Sequence, residues 1–196
     1  MLTFLAAVFI LLITPGPGVL STAGVGAGFG FSPGLRYVAG LWLGTNLVVL
    51  AVITGMVALA LSMPVMRVVL LVASAAYLLY MAARIAFSGR RVAFIHAERP
   101  PGFAGGLLLQ IVNPKAYVVV TTLFSGFAFL HDDLLVETVL KFVMINGVWI
   151  PVHLLWLGAG VGLHRLDLSP KAHSIVNATM AMAMLAVVVL AVLAPR

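Results

Sequence analysis

The chain has 196 residues, of which 63% are hydrophobic and only 8% charged. Soluble domains carry about 25% charged residues, so this composition belongs to a chain whose main solvent is lipid. The net charge of +6 is scattered between apolar runs, with no basic patch and no aromatic stacking platform. That excludes a nucleic-acid binder and fits the positive-inside bias of a membrane protein.

A spanning helix needs about 20 apolar residues. Six such segments follow one another, over 2–28, 35–62, 64–87, 104–130, 134–162 and 173–194. The first opens Met-Leu-Thr with no basic flank and runs past signal-peptide length, so it is expected to stay as a span. It is interrupted by Thr14-Pro15-Gly16-Pro17-Gly18, and the fourth by Asn113-Pro114-Lys115. A polar stretch with Arg90, Arg91, His96, Glu98, Arg99 and Pro100-Pro101 separates the third from the fourth. The expected organisation is one transmembrane domain over 1–196: repeat one at 1–87, a cytoplasmic linker at 88–103 and repeat two at 104–196.

Charge orients the bundle. With the N-terminus outside, the inner loops hold Arg36, Arg84, Arg90, Arg91, Arg99, Arg165 and Lys171, and the outer segments only Arg67, Lys141 and Arg196. The positive-inside rule then places both termini outside. Asp132, Asp133 and Glu137 fall outside on this arrangement.

A weak internal repeat pairs the halves. Leu35-Arg36-Tyr37-Val38 opens the second segment and Leu140-Lys141-Phe142-Val143 the fifth, while the proline breaks interrupt the first and fourth. Chance similarity of two apolar runs is the competing explanation. Three spans per half is an odd number, so the second half must enter the membrane upside down. The expected fold is all-α, with six transmembrane helices as two inverted three-helix repeats, helices one and four broken at the proline motifs. Paired breaks in an inverted repeat point to a transport site.

The chemistry of the breaks follows from proline, which lacks an N–H and clashes with the carbonyl four residues earlier. Pro15, Pro17 and Pro114 are expected to free the carbonyls of Leu11, Ile13 and Gln110. Unsatisfied backbone in hydrocarbon costs several kcal/mol, so such breaks belong inside protein. Thr14 and Asn113 read as N-caps, each followed by proline at the first helical position. Each restart offers free N–H groups and about half a positive charge near mid-membrane, and Lys115 adds a full one. Anion-attracting N-termini beside free carbonyls suit a zwitterion. Thr14, Pro15, Gly16, Pro17, Gln110, Asn113, Pro114 and Lys115 are therefore the candidate substrate-binding residues. Structural kinks, and a Lys115 that snorkels or pairs with carbonyls, are the bland alternatives.

His153 lies well inside the fifth segment and either carries protons or bonds a neighbouring helix. Asn46 and Asn146, like Gln110, either line a path or glue helices together. All five carboxylates (Glu98, Asp132, Asp133, Glu137, Asp167) are placed in loops or at span ends. Glycines spaced by four, Gly26-Gly30-Gly34 and Gly40-Gly44, read as close helix-packing positions and permit a homodimer. There is no cysteine, which excludes disulfides and thiolate metal sites. His96, His131, His153, His164 and His173 show no metal-ligand spacing. No cofactor is indicated.

Thr14-Pro15-Gly16-Pro17, the glycines through Gly40 and Gly44, Ala76-Tyr77-Leu78-Leu79-Tyr80, and Phe103 to Ala116 with Asn113-Pro114-Lys115 together resemble the LysE-type amino-acid exporter family, the lysine exporter and homoserine/threonine resistance group. The similarity runs from residue 1 to about 128. It implies export of amino acids or small derivatives across a bacterial inner membrane, driven by the proton-motive force, with Pro15, Gly16, Pro17, Asn113, Pro114 and Lys115 lining the central site. Gly18 stands where many members carry Asn or Asp, and Ser74 where glycine is frequent. Ser125-Gly126-Phe127 replaces a frequent Pro-Gln-Phe. The alternative is a transporter of ions or other small solutes on a related inverted-repeat fold. A membrane enzyme would need a nucleophile, an acid/base pair or metal ligands at reachable spacing, which this chain does not offer.

Overall fold

The computed structural model describes residues 1–55, 99–130 and 132–165, with isolated helical positions between 65 and 79 and between 171 and 185. The expected segments 64–87 and 173–194 and most of the 88–103 linker lie outside the continuously described residues. Among the described residues there are six helices and no strand. They are α1 (Leu2–Ile13), α2 (Pro17–Phe29), α3 (Phe31–Ile53), α4 (Gly102–Ile111), α5 (Pro114–Gly126) and α6 (Leu134–Arg165).

At 1.5 Å per residue, α3 is about 35 Å long, enough to cross the roughly 30 Å hydrocarbon layer alone. Its 23 residues and the stretch Leu134–Gly162 of α6 are the two described helices long and apolar enough to span. The 12 residues of α1 and 10 of α4 reach only half-way, about 15–18 Å. Each is continued by its neighbour after a sharp turn, 52° between α1 and α2 and 60° between α4 and α5. With each bent pair counted as one span, the described residues hold up to four.

Two boundaries differ from the sequence reading. The second span starts at Phe31 rather than 35, because α2 ends on Gly30, whose φ of 84° turns the chain straight into the next helix. Glycine tolerates this left-handed backbone. Pro33 falls in the first turn of α3, where a missing N–H breaks nothing. The fourth span stops at Gly126, not 130. The N–H groups of Phe129 and Leu130 bond the Glu137 carboxylate instead of continuing a helix.

Helix α3 buries Gly34, Tyr37, Val38, Leu41, Thr45, Val48 and Val49, spaced three and four apart. Its opposite face shows Leu35, Trp42, Leu47 and Leu50. A helix apolar on both faces belongs in lipid or a deep core. Its most extensive packing is against α4, and that of α2 is against α6. Both crossings are backbone-close. A Cβ on Gly40 would strike the carbonyl of Phe103, and one on Gly106 that of Tyr37. On the other pair, Gly26 lies against the Leu157 carbonyl and Gly160 against that of Ala23. Small residues provide this approach, which dispersion and weak C–H···O contacts then reward.

Candidate functional site

The first break is not capped as its sequence suggests. Thr14 ends α1 rather than starting α2, and its hydroxyl donates back to the Ile10 carbonyl (2.6 Å). Helix α2 starts two residues later, with extended Gly16 as N-cap and Pro17 at its first position. The first proline of the motif therefore terminates one helix and the second initiates the next. Thr14 and Pro15 are exposed, whereas Gly16, Pro17 and Gly18 are buried.

The second break is compact. Asn113 is extended and its side-chain oxygen accepts from the Lys115 N–H (3.1 Å), with Pro114 at the first position of α5. The Gln110 carbonyl, expected to be free, accepts the Asn113 N–H (3.2 Å). The Asn113 amide donates to Gln110 Oε1 (3.1 Å), and Gln110 Nε2 donates to Thr45 Oγ1 (2.9 Å). This chain of bonds fixes the second break to α3.

Lys115 joins the two breaks. Its Nζ donates to the Thr14 carbonyl oxygen at 2.5 Å. A Cβ built on Gly16 would lie 3.1 Å from Nζ and 2.7 Å from Cδ. The carbonyl that meets this cation is thus that of Thr14, not that of Leu11 or Ile13.

These residues border a partly open cavity of about 50 Å³. Gly16, Gln110, Asn113, Lys115 and His153 line it, as do Gly18, Thr45 and Trp149. Leu11, Val19, Val120, Leu123 and Ile145 supply an apolar wall. Thr14, Pro15, Pro17 and Pro114 shape the breaks without lining the cavity, Thr14 contributing its carbonyl to Lys115. Among the described residues no carboxylate lines it.

His153 is 4% exposed and stacks on Trp149, ring centroids 3.5 Å apart. Its Nδ1 is 2.9 Å from the Trp149 carbonyl oxygen. A carbonyl only accepts, so Nδ1 carries hydrogen, and in the neutral ring Nε2 is the lone-pair nitrogen. The histidine bonds its own helix, not a neighbour. Pro151, two residues earlier, sits inside α6 and removes the bond that the Gly147 carbonyl would accept.

Asn46 and Asn146 meet away from the cavity. Asn146 Nδ2 donates to Asn46 Oδ1 (3.0 Å), Asn46 Nδ2 returns a bond (3.3 Å), and Trp42 Nε1 donates to Asn146 Oδ1 (2.7 Å). They tie α3 to α6.

The sequence reading missed Thr45 and Trp149. Trp149 lies one turn before His153, a spacing that stacks side chains on one face, and this was its only signal. The placing of every carboxylate in a loop or at a span end also hid one buried ion pair. Glu137 and Lys141 lie one turn apart in α6, each 3% exposed, with Lys141 Nζ 2.7 Å from Glu137 Oε1. Glu137 Oε2 accepts from the Phe129 N–H (2.8 Å), and Lys141 donates to the Phe124 carbonyl (3.1 Å). Lys141 is therefore a packed internal residue rather than a loop charge. The pair pins the link between α5 and α6, whose Phe127 and Phe129 rings pack on Phe4 of α1.

An apolar bundle, helical throughout its described residues and interrupted twice beside a cavity with one polar end, is the architecture of a multi-pass membrane protein of transporter type. The chain belongs to the LysE type translocator family, whose model matches residues 9–194. That match carries the likeness well past residue 128, through the last two expected spans. No curated protein and no solved structure matches the chain.

Proposed function

We propose that this translocator is a secondary exporter of amino acids or small amino-acid derivatives, with Lys115 as the anchor for the substrate carboxylate. One observation carries the reading. The Lys115 ammonium reaches the junction of both breaks, and no carboxylate among the described lining residues neutralises it. The Thr14 carbonyl gives this cation a hydrogen bond but no opposite charge, and the substrate carboxylate supplies one. The N-terminal end of α5 adds its dipole in the same place.

The uneven packing supports alternating access. An inverted repeat exchanges α1 with α4, α2 with α5 and α3 with α6. It therefore maps the tight α3–α4 and α2–α6 crossings onto α6–α1 and α5–α3, which are much slighter contacts here. The cavity extends on the slight side, towards Leu11, Leu123 and Ile145. A bundle closed on one side and looser on the other is what rocking of two repeats produces. On the charge orientation, with both termini outside, the looser side faces out of the cell. His153 is the described histidine in the cavity, and in this reading it is the group that couples protons to transport.

The test is uptake of a radiolabelled amino-acid panel into inside-out inner-membrane vesicles, with and without a proton gradient. Gradient-dependent accumulation of one or a few amino acids, lost in Lys115→Met, is the expected result. Correctly inserted protein that accumulates no amino acid would reject the reading in favour of ions or other small solutes.

A further inference from the structure

The cavity has two chemically distinct ends and a third, apolar wall. Gly16 and Gly18 are two residues apart, so their Cα atoms are at most about 7 Å apart. Lys115 Nζ stands over the first. Over the second stand two other atoms: a Cβ built on Gly18 would lie 3.5 Å from His153 Nε2 and 3.6 Å from Gln110 Oε1.

Both atoms are acceptors. Gln110 Oε1 is a carbonyl oxygen with one bond used, from Asn113. His153 Nδ1 is engaged by the Trp149 carbonyl, which leaves Nε2 as the lone-pair nitrogen of the neutral ring. Nε2 makes no hydrogen bond among the described residues, although the ring is almost wholly buried. A cation donor at Gly16 and a pair of acceptors at Gly18 fit the carboxylate and ammonium of one α-amino acid. Among the described residues the remaining wall is apolar, with Val19, Val119, Val120, Leu123, Ile145 and the Trp149 ring on it. It offers no charge to a substrate side chain.

We propose that the site selects α-amino acids with neutral, aliphatic side chains and rejects basic ones, holding the substrate ammonium on His153 Nε2 and Gln110 Oε1 in the space left by Gly18. This rests on the exporter reading above and refines it. A second positive charge on the substrate would meet Lys115 and hydrocarbon, with no acid among the described lining residues to pair it, and burying an unpaired charge is costly. Gly18 is the residue that sets the room.

The experiment is counterflow of radiolabelled leucine into proteoliposomes holding the purified full chain, with unlabelled leucine, lysine, N-acetyl-leucine or 4-methylpentanoate inside. Leucine inside is expected to drive uptake. Lysine, and the two analogues that lack a free ammonium, are expected to drive less than about a tenth as much, because a charged hydrogen bond lost or a charge left unpaired is worth at least tenfold. Gly18→Ala adds a methyl at ordinary contact distance, so it is expected to insert normally yet raise the half-saturating leucine concentration about tenfold. Lysine driving uptake as well as leucine overturns the side-chain class and leaves the exporter reading intact. N-acetyl-leucine working as well as leucine, or an indifferent Gly18→Ala, overturns the ammonium subsite. Counterflow with no amino acid in the wider panel rejects the exporter reading, and this refinement with it.

Discussion

Lys115 Nζ donates to the Thr14 carbonyl oxygen at 2.5 Å, across 101 residues of chain. The bond links the end of α1 to the first turn of α5, so one side chain reports on both breaks. Replacing it with methionine keeps the length and removes the charge. Transport by Lys115→Met is expected to fall about ten- to a hundredfold, the worth of one charge-assisted hydrogen bond. Counterflow rates at equal amounts of inserted protein measure it; an unchanged rate would remove Lys115 from the site.

Gly16 tests the same contact from the other side. A Cβ there lies 2.7 Å from Lys115 Cδ, a clash with a flexible side chain rather than with backbone. Gly16→Ala is expected to fold and to displace Lys115 from Thr14, lowering transport severalfold. Thermal stability in detergent should stay within about 1 kcal/mol of the parent, the usual range of a helix-terminus glycine substitution.

The Glu137–Lys141 pair predicts a stability phenotype. Removing one partner of this pair leaves the other charge uncompensated beside the Phe124 and Phe129 rings, which is destabilising. Glu137→Gln and Lys141→Met are each expected to lower the unfolding midpoint strongly. The double variant should recover much of the loss, since it leaves neither charge behind. Two single effects that simply add would show that the charges act independently.

The glycine crossings separate packing from composition. Gly40→Val and Gly106→Val would drive side chains into opposing backbone carbonyls, and are expected to abolish stable insertion. Gly147→Ala is the control. Nothing lies within 4 Å of its added Cβ, and alanine gains up to about 1 kcal/mol in helix propensity. Yield of monodisperse protein distinguishes them.

The uneven packing predicts sidedness. The chain contains no cysteine, so single-cysteine variants report cleanly. Leu11→Cys, at a half-buried position lining the cavity, is expected to react with a membrane-impermeant maleimide added from outside the cell, and Tyr37→Cys, at a buried one, to be protected. Labelling of Leu11→Cys from the cytoplasmic side alone would invert the orientation.

Local chemistry is legible in the order of the residues. Sixty-three percent hydrophobic residues, with short polar gaps, commit the chain to helices in lipid, because helices satisfy every backbone group internally. Asn113, Pro114 and Lys115 specify a helix start through adjacent residues alone, since a cap bonds an N–H two residues away. The same rule misassigned Thr14. Thr-Pro and Gly-Pro are both acceptable starts, and only the packing of the buried Pro17 and Gly18 chose the second.

What the sequence could not determine depends on distance along the chain. Lys115 meets Thr14, Asn46 meets Asn146, Gln110 meets Thr45 and Gly106 meets Tyr37 only because α1, α3, α4, α5 and α6 pack in one register. A polar residue in an apolar run looks the same whether it lines a cavity, as Gln110 does, or bonds a neighbouring helix, as Asn146 does. The sequence by itself determined a membrane-embedded helical chain, its two interruptions and the cation beside one of them, because these follow from solvent and short-range sterics. Which faces meet, which carbonyl receives the lysine and which glycine leaves room for a ligand were decided by tertiary packing, where backbone contact admits one arrangement of small and large residues.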